Sequence, residues 1–356
     1  MKVGILGLPS SGKTTLFNLL TSSRADTTPY SSGKGEVHLG AVQVADERLD
    51  QLARVYGSKK ITHAEISFVD LAGMPGAEAR RADDLIPHLR DADALALVLR
   101  DFESETAPAP GGRVDPAADL DEIYSDLILS DLGVAERKLD HLEREKKGKD
   151  PTKIREYELI TRVKEALESE KRLASLSFDE EEEKHLSGYG FLTLKGVIPL
   201  RNIGEGGSPD PSPQLAKKAA ALGAPLLSIN ALLECEVREL PEEERPSFYE
   251  TFGIEGKART RFIRAAYEAL DLITFFTAAP NEARAWAIPR GIPAARAAGK
   301  VHSDMERGFI RAEVIPYPTL VELGGERQAK EKGKMRLEGK EYIVADGDVL
   351  LIRFSP

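Results

Sequence analysis

Gly7-Leu8-Pro9-Ser10-Ser11-Gly12-Lys13-Thr14 fits the pattern G-x-x-x-x-G-K-[ST]. The apolar run Val3-Gly4-Ile5-Leu6 precedes it, and Thr15-Leu16-Phe17-Asn18-Leu19-Leu20 follows with helical patterning. Strand, glycine loop, lysine, hydroxyl and helix in this order make a phosphate-binding loop. Its backbone N–H groups and the helix N-terminus would surround phosphate oxygens, so Gly7, Pro9, Ser10, Ser11, Gly12, Lys13, Thr14 and Thr15 are nucleotide-binding candidates. Lys13 would add a point charge at the β- and γ-phosphates, and the Thr14 hydroxyl would ligate Mg²⁺. The ligand class is therefore a nucleoside triphosphate with its metal.

A second element supports the first. Ala64-Glu65-Ile66-Ser67-Phe68-Val69-Asp70 reads as a buried strand ending in a carboxylate, and Asp70 and Gly73 form D-x-x-G. In P-loop NTPases this aspartate holds Mg²⁺, usually through water, and the glycine N–H meets the γ-phosphate, so Lys13, Asp70 and Gly73 are the catalytic candidates. Many GTPases follow that glycine with a glutamine that orients the attacking water. Met74 stands there instead, followed by Pro75. A thioether is a poor hydrogen-bonding group, so slow intrinsic hydrolysis is expected.

Base recognition is expected at the end of the strand Gly196-Val197-Ile198-Pro199-Leu200-Arg201. Asn202-Ile203-Gly204-Glu205 occupies the place of the guanine-reading N-K-x-D. Ile203 and Glu205 replace the lysine stem and the aspartate, whereas an Asn amide can pair with the N6/N7 edge of adenine. Asn202, Ile203 and Glu205 thus point to ATP over GTP, with GTP left open and a plain surface turn as the alternative. The strand Pro225-Leu226-Leu227-Ser228 delivers Asn230 and Ala231 to the same rim.

These elements imply an α/β nucleotide domain, and other strands and helices must hold it together. Ala94-Leu95-Ala96-Leu97-Val98-Leu99-Arg100 supplies a further strand, followed by a Pro/Gly-rich loop from 107 to 112. Between about 120 and 187 the composition shifts to Glu, Lys and Leu. Ile128, Leu132, Ala135, Leu139 and Leu142 form a four-three-spaced seam, and Ile160, Val163 and Leu167 form a returning one. An antiparallel coiled-coil arm is the expectation. Its tip carries Arg144, Lys146, Lys147, Lys149, Lys153 and Arg155, which fit RNA phosphates or a solvated turn. Glu180 to Glu183 would face solvent or lie near a helix start. From about 272 short strands and turns suggest a small α+β unit. Ile273 to Thr277 and Ala283 to Ile288 would form a hairpin, Ile292 to Val301 a helix, and Phe309 to Ile315, Tyr342 to Val344 and Val349 to Phe354 strands, with Asp346-Gly347-Asp348 as a turn.

With 356 residues, the chain has room for two or three domains. No apolar run reaches the roughly 20 residues of a membrane span, the N-terminus enters the first strand directly, and Cys235 is the only cysteine. A cytoplasmic protein without a membrane or DNA partner is expected. A net charge of −10 argues against a wholly nucleic-acid-coated surface.

The segment His302-Ser303-Asp304-Met305-Glu306-Arg307-Gly308-Phe309-Ile310-Arg311-Ala312-Glu313-Val314 resembles the hallmark stretch of the YchF group of Obg-like ATPases. So do Gly333-Lys334-Met335-Arg336-Leu337-Glu338-Gly339-Lys340, Asp346-Gly347-Asp348-Val349, Phe191-Leu192-Thr193-Leu194-Lys195 and Gly112-Arg113-Val114-Asp115-Pro116. The resemblance implies an α/β P-loop NTPase of GTPase-like fold with an inserted coiled-coil arm and a C-terminal β-grasp TGS domain. It implies a nucleotide domain over 1–119 and 188–271, an insertion over 120–187 and a TGS domain over 272–356. It further implies ATP preference, a hydrophobic residue in place of the catalytic glutamine, as at Met74, and ribosome contacts through the arm and TGS domain. The chain departs from the family pattern in three places. Ser10-Ser11 stands for Asn-Val, and Pro29-Tyr30-Ser31-Ser32 stands for Pro-Phe-x-Thr, which makes Ser32 the candidate switch hydroxyl on Mg²⁺. The loop Ala107-Pro108-Ala109-Pro110 lacks the family histidine. His38 reads as a lone surface histidine, with a substitute for the family histidine as the alternative reading. Besides the ATPase, a conventional GTPase and a nucleotide-gated RNA- or ribosome-binding module with negligible turnover remain open.

Overall fold

The computed structural model describes residues 1–21, 36–72, 86–145, 150–208, 210–252 and 257–355. The chain divides into two compact units, Met1–Gly40 with Ser67–Ala266, and Ala41–Ile66 with Tyr267–Pro356.

In chain order the first strands are β1 (Lys2–Leu6), β2 (Glu36–Val44), β3 (Ile61–Thr62), β4 (Ala64–Ala72), β5 (Ala94–Asp101), β6 (Gly196–Ile203) and β7 (Leu227–Ile229). Among the described residues, the first unit's sheet has the order β2-β4-β1-β5-β6-β7. β1 runs parallel to β4 and β5, β5 to β6, and β6 to β7. β5 is buried from Ala94 to Arg100, as a parallel strand covered on both faces must be. Because these strands share a direction, their C-terminal ends share an edge, where open α/β sheets bind ligands. Leu6, Val69, Leu95, Leu97, Leu99, Ala117 and Leu120 form the core that holds this edge.

Helix Pro116–Glu145 begins where Asp115 Oδ1 accepts from the N–H groups of Ala117 (3.1 Å) and Ala118 (3.0 Å), with Pro116 in the first turn. Helix Pro151–Glu168 is capped in the same way by Asp150. The two run antiparallel, as the ion pairs Lys138–Glu156 (3.1 Å) and Glu136–Lys164 (3.5 Å) require. Ala135, Leu142, Ile160, Val163 and Leu167 are buried between them, with Ile128, Leu132 and Leu139 half-buried alongside. The acidic run opens a separate helix, Glu180–Ser187, through a capping box between Asp179 and Glu182. The tip lysines Lys146, Lys147 and Lys149 lie outside the described residues.

The second unit holds β8 (Leu272–Ala278), β9 (Ala283–Pro289), β10 (Phe309–Pro316), β11 (Arg336–Glu338) and β12 (Asp348–Phe354). Its described sheet has the order β11-β10-β12-β8-β9-β3. β8 and β9 form the expected hairpin, Leu272 opposite Pro289 and Ala278 opposite Ala283. Helix Ala294–Val301 packs Ala294, Ala297 and Ala298 on Phe275, Ile288, Val314 and Leu350. Two expectations change here. Tyr342 to Val344 is not a strand: Ile343 makes one isolated bridge to Pro293. The Tyr342 carbonyl accepts from Ala294 N (2.7 Å), and the Val344 N–H donates to Ile292 O (3.1 Å). Residues 41–66, expected in the nucleotide domain, pack in this unit instead. The reason is helix Glu47–Tyr56, whose Leu49, Leu52 and Ala53 are buried against Phe276, Ala285, Ile315 and Val349. No helix among the described residues is long and apolar enough to cross a membrane.

Candidate functional site

The phosphate loop turns between β1 and helix Lys13–Thr21. Gly12 has a φ of +91°, and a Cβ there would lie 2.2 Å from Asn202 Nδ2. A Cβ at Gly7 would lie 2.5 Å from Val98 O and 2.6 Å from Ser11 Oγ. Both glycines are thus required by close approach. Ser10 is one of the described non-glycine residues with positive φ, at 56°.

Arg100 explains how Ser10 is held there. It stands at the end of β5, 2% exposed, and donates to Ser10 O (2.8 Å), Phe102 O (3.0 Å) and Ala107 O (2.6 Å). Its guanidinium also lies 4.3 Å from the centre of the Phe102 ring. Burial pulls its pKa down, yet three fixed carbonyls give its fork of N–H groups partners.

Lys13 is 6% exposed, and its Nζ donates to Gly7 O (3.0 Å) and Leu8 O (2.8 Å). Burial lowers its pKa from 10.5 to about 8, against the upward pull of the Asp70 carboxylate. The Thr14 hydroxyl donates to Asp70 Oδ2 at 2.8 Å. Asp70 is fully buried, and its Oδ1 has no hydrogen-bond partner among the described residues. Ser11 Oγ is a second buried polar atom without one. A buried carboxylate oxygen left open beside a threonine hydroxyl is a donor set that suits a hard, oxygen-liking cation such as Mg²⁺.

Asn202, at the end of β6 and 5% exposed, joins two parts of the rim. Its Nδ2 donates to Ser11 O (3.0 Å), and its Oδ1 accepts from Ala231 N (3.1 Å). Asn230 caps helix Ala231–Glu239 by accepting from Leu233 N (3.0 Å). Lys13, Thr14, Asp70, Asn202, Asn230 and Ala231 therefore meet at one sheet edge. Glu205 is exposed in the turn beyond β6, and the Thr15 carbonyl receives Cys235 Sγ at 3.6 Å. Ser32, Gly73 and Met74 lie outside the described residues.

His38 differs from its reading as a lone surface histidine. On β2, with its side chain 21% exposed, it places Nδ1 3.4 Å from Asp70 Oδ2. Arg100 likewise had no signal in the sequence, where it is one more residue ending an apolar run. Only strand pairing across the sheet reveals either role.

Residues 272–355 match a family model for the C-terminal domain of YchF GTPases, described as a protein of unknown function. Residues 2–129 match a model described as 50S ribosome-binding GTPase. The chain is 37% identical to the Ribosome-binding ATPase YchF of Bacillus subtilis (strain 168), covering 100% of this chain and 99% of that protein. It is 38% identical to the protein of the same name from Haemophilus influenzae, over 99% of both. The solved structure of the Schizosaccharomyces pombe YchF GTPase superposes with a TM-score of 0.83 at 27% identity, covering 99% of this chain and 97% of that one.

Proposed function

Because the chain belongs to the YchF family, we propose that it is a Mg²⁺-dependent, ATP-preferring NTPase that acts as a nucleotide-controlled switch on ribosomes in the cytoplasm. The observation that carries this reading is the joint placement of Lys13, Thr14 and Asp70, with Asp70 Oδ1 buried and open. The N–H groups of the loop and the first helical turn would bind phosphate oxygens, with Lys13 at the β/γ position. Thr14 and Asp70 would hold Mg²⁺, which in such sites neutralises charge on the β- and γ-phosphates. Gly73 and Ser32 would complete the γ-phosphate side by resemblance to the family.

Asn202 supports the choice of adenine. Each of its amide ends is engaged once with protein, and an amide nitrogen has a second hydrogen and its oxygen a second lone pair. Those are what N7 and N6 of adenine need. Isothermal titration of ATP against GTP, each with Mg²⁺, tests this. Tighter binding of GTP would sink the adenine assignment and favour a conventional GTPase.

A second reading, a nucleotide-gated binding module with negligible turnover, is favoured by Met74 and by the histidine-free loop from 107 to 110. A single-turnover assay with ribosomes present separates the two. ATP cleavage no faster than in Lys13→Ala would establish the binder. Relatives bear the name ribosome-binding ATPase, and the helical arm with the C-terminal β-grasp-like TGS unit would make the RNA contact here. Lys153 and Arg155 already face Glu156 (3.3 Å) and Glu181 (3.7 Å), which shifts the charge available for RNA toward the tip. Charge reversal at Lys146, Lys147 and Lys149 should weaken co-sedimentation with ribosomes at low salt, and unchanged co-sedimentation would remove the arm from the proposal.

A further inference from the structure

We propose that His38 is a positioning residue for the magnesium site, holding Asp70 Oδ2 through Nδ1 so that Oδ1 stays turned toward the metal. The inference rests on the Mg²⁺ reading of Thr14 and Asp70 given above.

A carboxylate tethered at one point turns readily, because the terminal sp³–sp² torsion of Asp has a broad, two-fold profile. Turning it would exchange Oδ1 and Oδ2. Here Oδ2 meets both the Thr14 hydroxyl at 2.8 Å and His38 Nδ1 at 3.4 Å, while Oδ1 meets no partner among the described residues. Two anchors from different elements on one oxygen fix the carboxylate's rotation, and the other oxygen, left without a partner among the described residues, would be preset to hold Mg²⁺ or a water that it carries. Thr14 supports this without conflict, since its hydroxyl hydrogen faces Asp70 and its lone pairs remain for the metal.

The placement of His38 is fixed by packing. β2 lies beside β4, the strand that carries Asp70. At Gly40, two residues along the same strand, a Cβ would stand 2.4 Å from Thr21 Cγ2 and 3.0 Å from Phe17 Cζ, so the strand lies directly against the phosphate-loop helix. The Phe17 ring, 1% exposed, is tilted 37° to the His38 ring with centroids 5.9 Å apart. The imidazole therefore has a packed face and a directed nitrogen. Outer-shell partners of metal ligands commonly control metal affinity by about 10- to 100-fold.

The test reads metal affinity rather than turnover. Mg²⁺ is titrated into protein holding a fluorescent ADP analogue, and nucleotide dissociation is followed. His38→Phe keeps a ring against Phe17 and removes the nitrogen, and His38→Gln restores a donor. The expected result is a rise in the Mg²⁺ half-saturation of about tenfold or more in His38→Phe. ADP binding without Mg²⁺ should stay unchanged, with partial recovery in His38→Gln. An unchanged Mg²⁺ half-saturation in His38→Phe overturns the proposal, as does an equal loss of ADP binding without metal. If His38→Phe does not fold, His38→Ala is judged by the same two outcomes. Thr14→Ala separates this proposal from its premise: if that variant keeps its Mg²⁺ response, the metal reading fails, whatever His38 does.

Discussion

Arg90 and Asp131 tie the helix Ile86–Arg90, which follows the Asp70 strand in sequence, to the first arm helix, with Arg90 Nη1 3.2 Å from Asp131 Oδ1. Asp131 is fully buried and also accepts from Leu192 N (2.9 Å), Thr193 N (2.8 Å) and Thr193 Oγ1 (2.8 Å). Arg90 in turn donates to Gly190 O (2.9 Å) and Ser130 Oγ (2.8 Å). Burial lifts the Asp131 pKa while these donors work against that lift. The carboxylate fastens three chain segments at the arm's base.

Removing it should be costly. Asp131→Ala leaves the Arg90 charge half-buried and two N–H groups without acceptors, and a broken buried pair costs about 3–5 kcal/mol. Urea unfolding checks this. A loss below about 1 kcal/mol would mean that water replaces the carboxylate at no net cost.

Lys13 gives the protein a pH signature. Its pKa in the free folded chain is about 8 against 10.5 ordinarily. Since the folded value is depressed, the unfolded chain binds more protons between those values. The cost of the buried charge is thus fully present below pH 8 and is relieved as pH rises toward 10.5, by roughly 3 kcal/mol in all. Apo stability should gain accordingly in thermal scans across that window, and Lys13→Ala should flatten the gain.

Nucleotide binding should show the opposite trend. Phosphate charge raises the Lys13 pKa again, so binding above pH 8 must take up a proton and below it must not. Affinity should fall by up to about tenfold per pH unit above 8. Titration calorimetry in buffers of different ionisation enthalpy measures the proton directly. Lys13→Ala should lose about 3 kcal/mol of binding, roughly 100-fold, and the proton uptake with it.

Ser10 carries a left-handed conformation, φ 56°, that glycine adopts without strain. Ser10→Gly should therefore raise stability by about 1 kcal/mol in chemical denaturation. Arg100→Met should lower it by about 2–4 kcal/mol and weaken ATP binding, because three carbonyls lose their donor. A Met variant as tight for ATP as the parent would show that the loop keeps its shape without that strap.

The phosphate loop, the Asp70 strand, the arm seams and the β8–β9 hairpin were legible because each is a local pattern: a motif within eight residues, a period of 2, or a four-three spacing. The third helix of the insertion was partly legible, since its acidic run opens with a capping box. The strand expected over Tyr342 to Val344 carries strand-like residues, but its backbone hydrogen bonds go to Ile292 and Ala294 rather than to a ladder. Apolar content alone does not say which partner a short segment will find.

By itself the sequence determined the nucleotide class of the ligand, the residue types proposed to hold Mg²⁺ and the Met74 in place of a water-orienting glutamine, because these follow from side-chain chemistry at contiguous positions. Only the tertiary structure decided what those residues touch. Arg100 reaches Ser10 across 90 positions, His38 meets Asp70 across 32, and Asn202 joins Ser11 and Ala231 across 191 and 29. It likewise assigned residues 41–66 to the unit with the C-terminal strands. Such contacts depend on which strands lie side by side and on which apolar faces need cover. Those choices are made by the whole chain, and no local pattern records them.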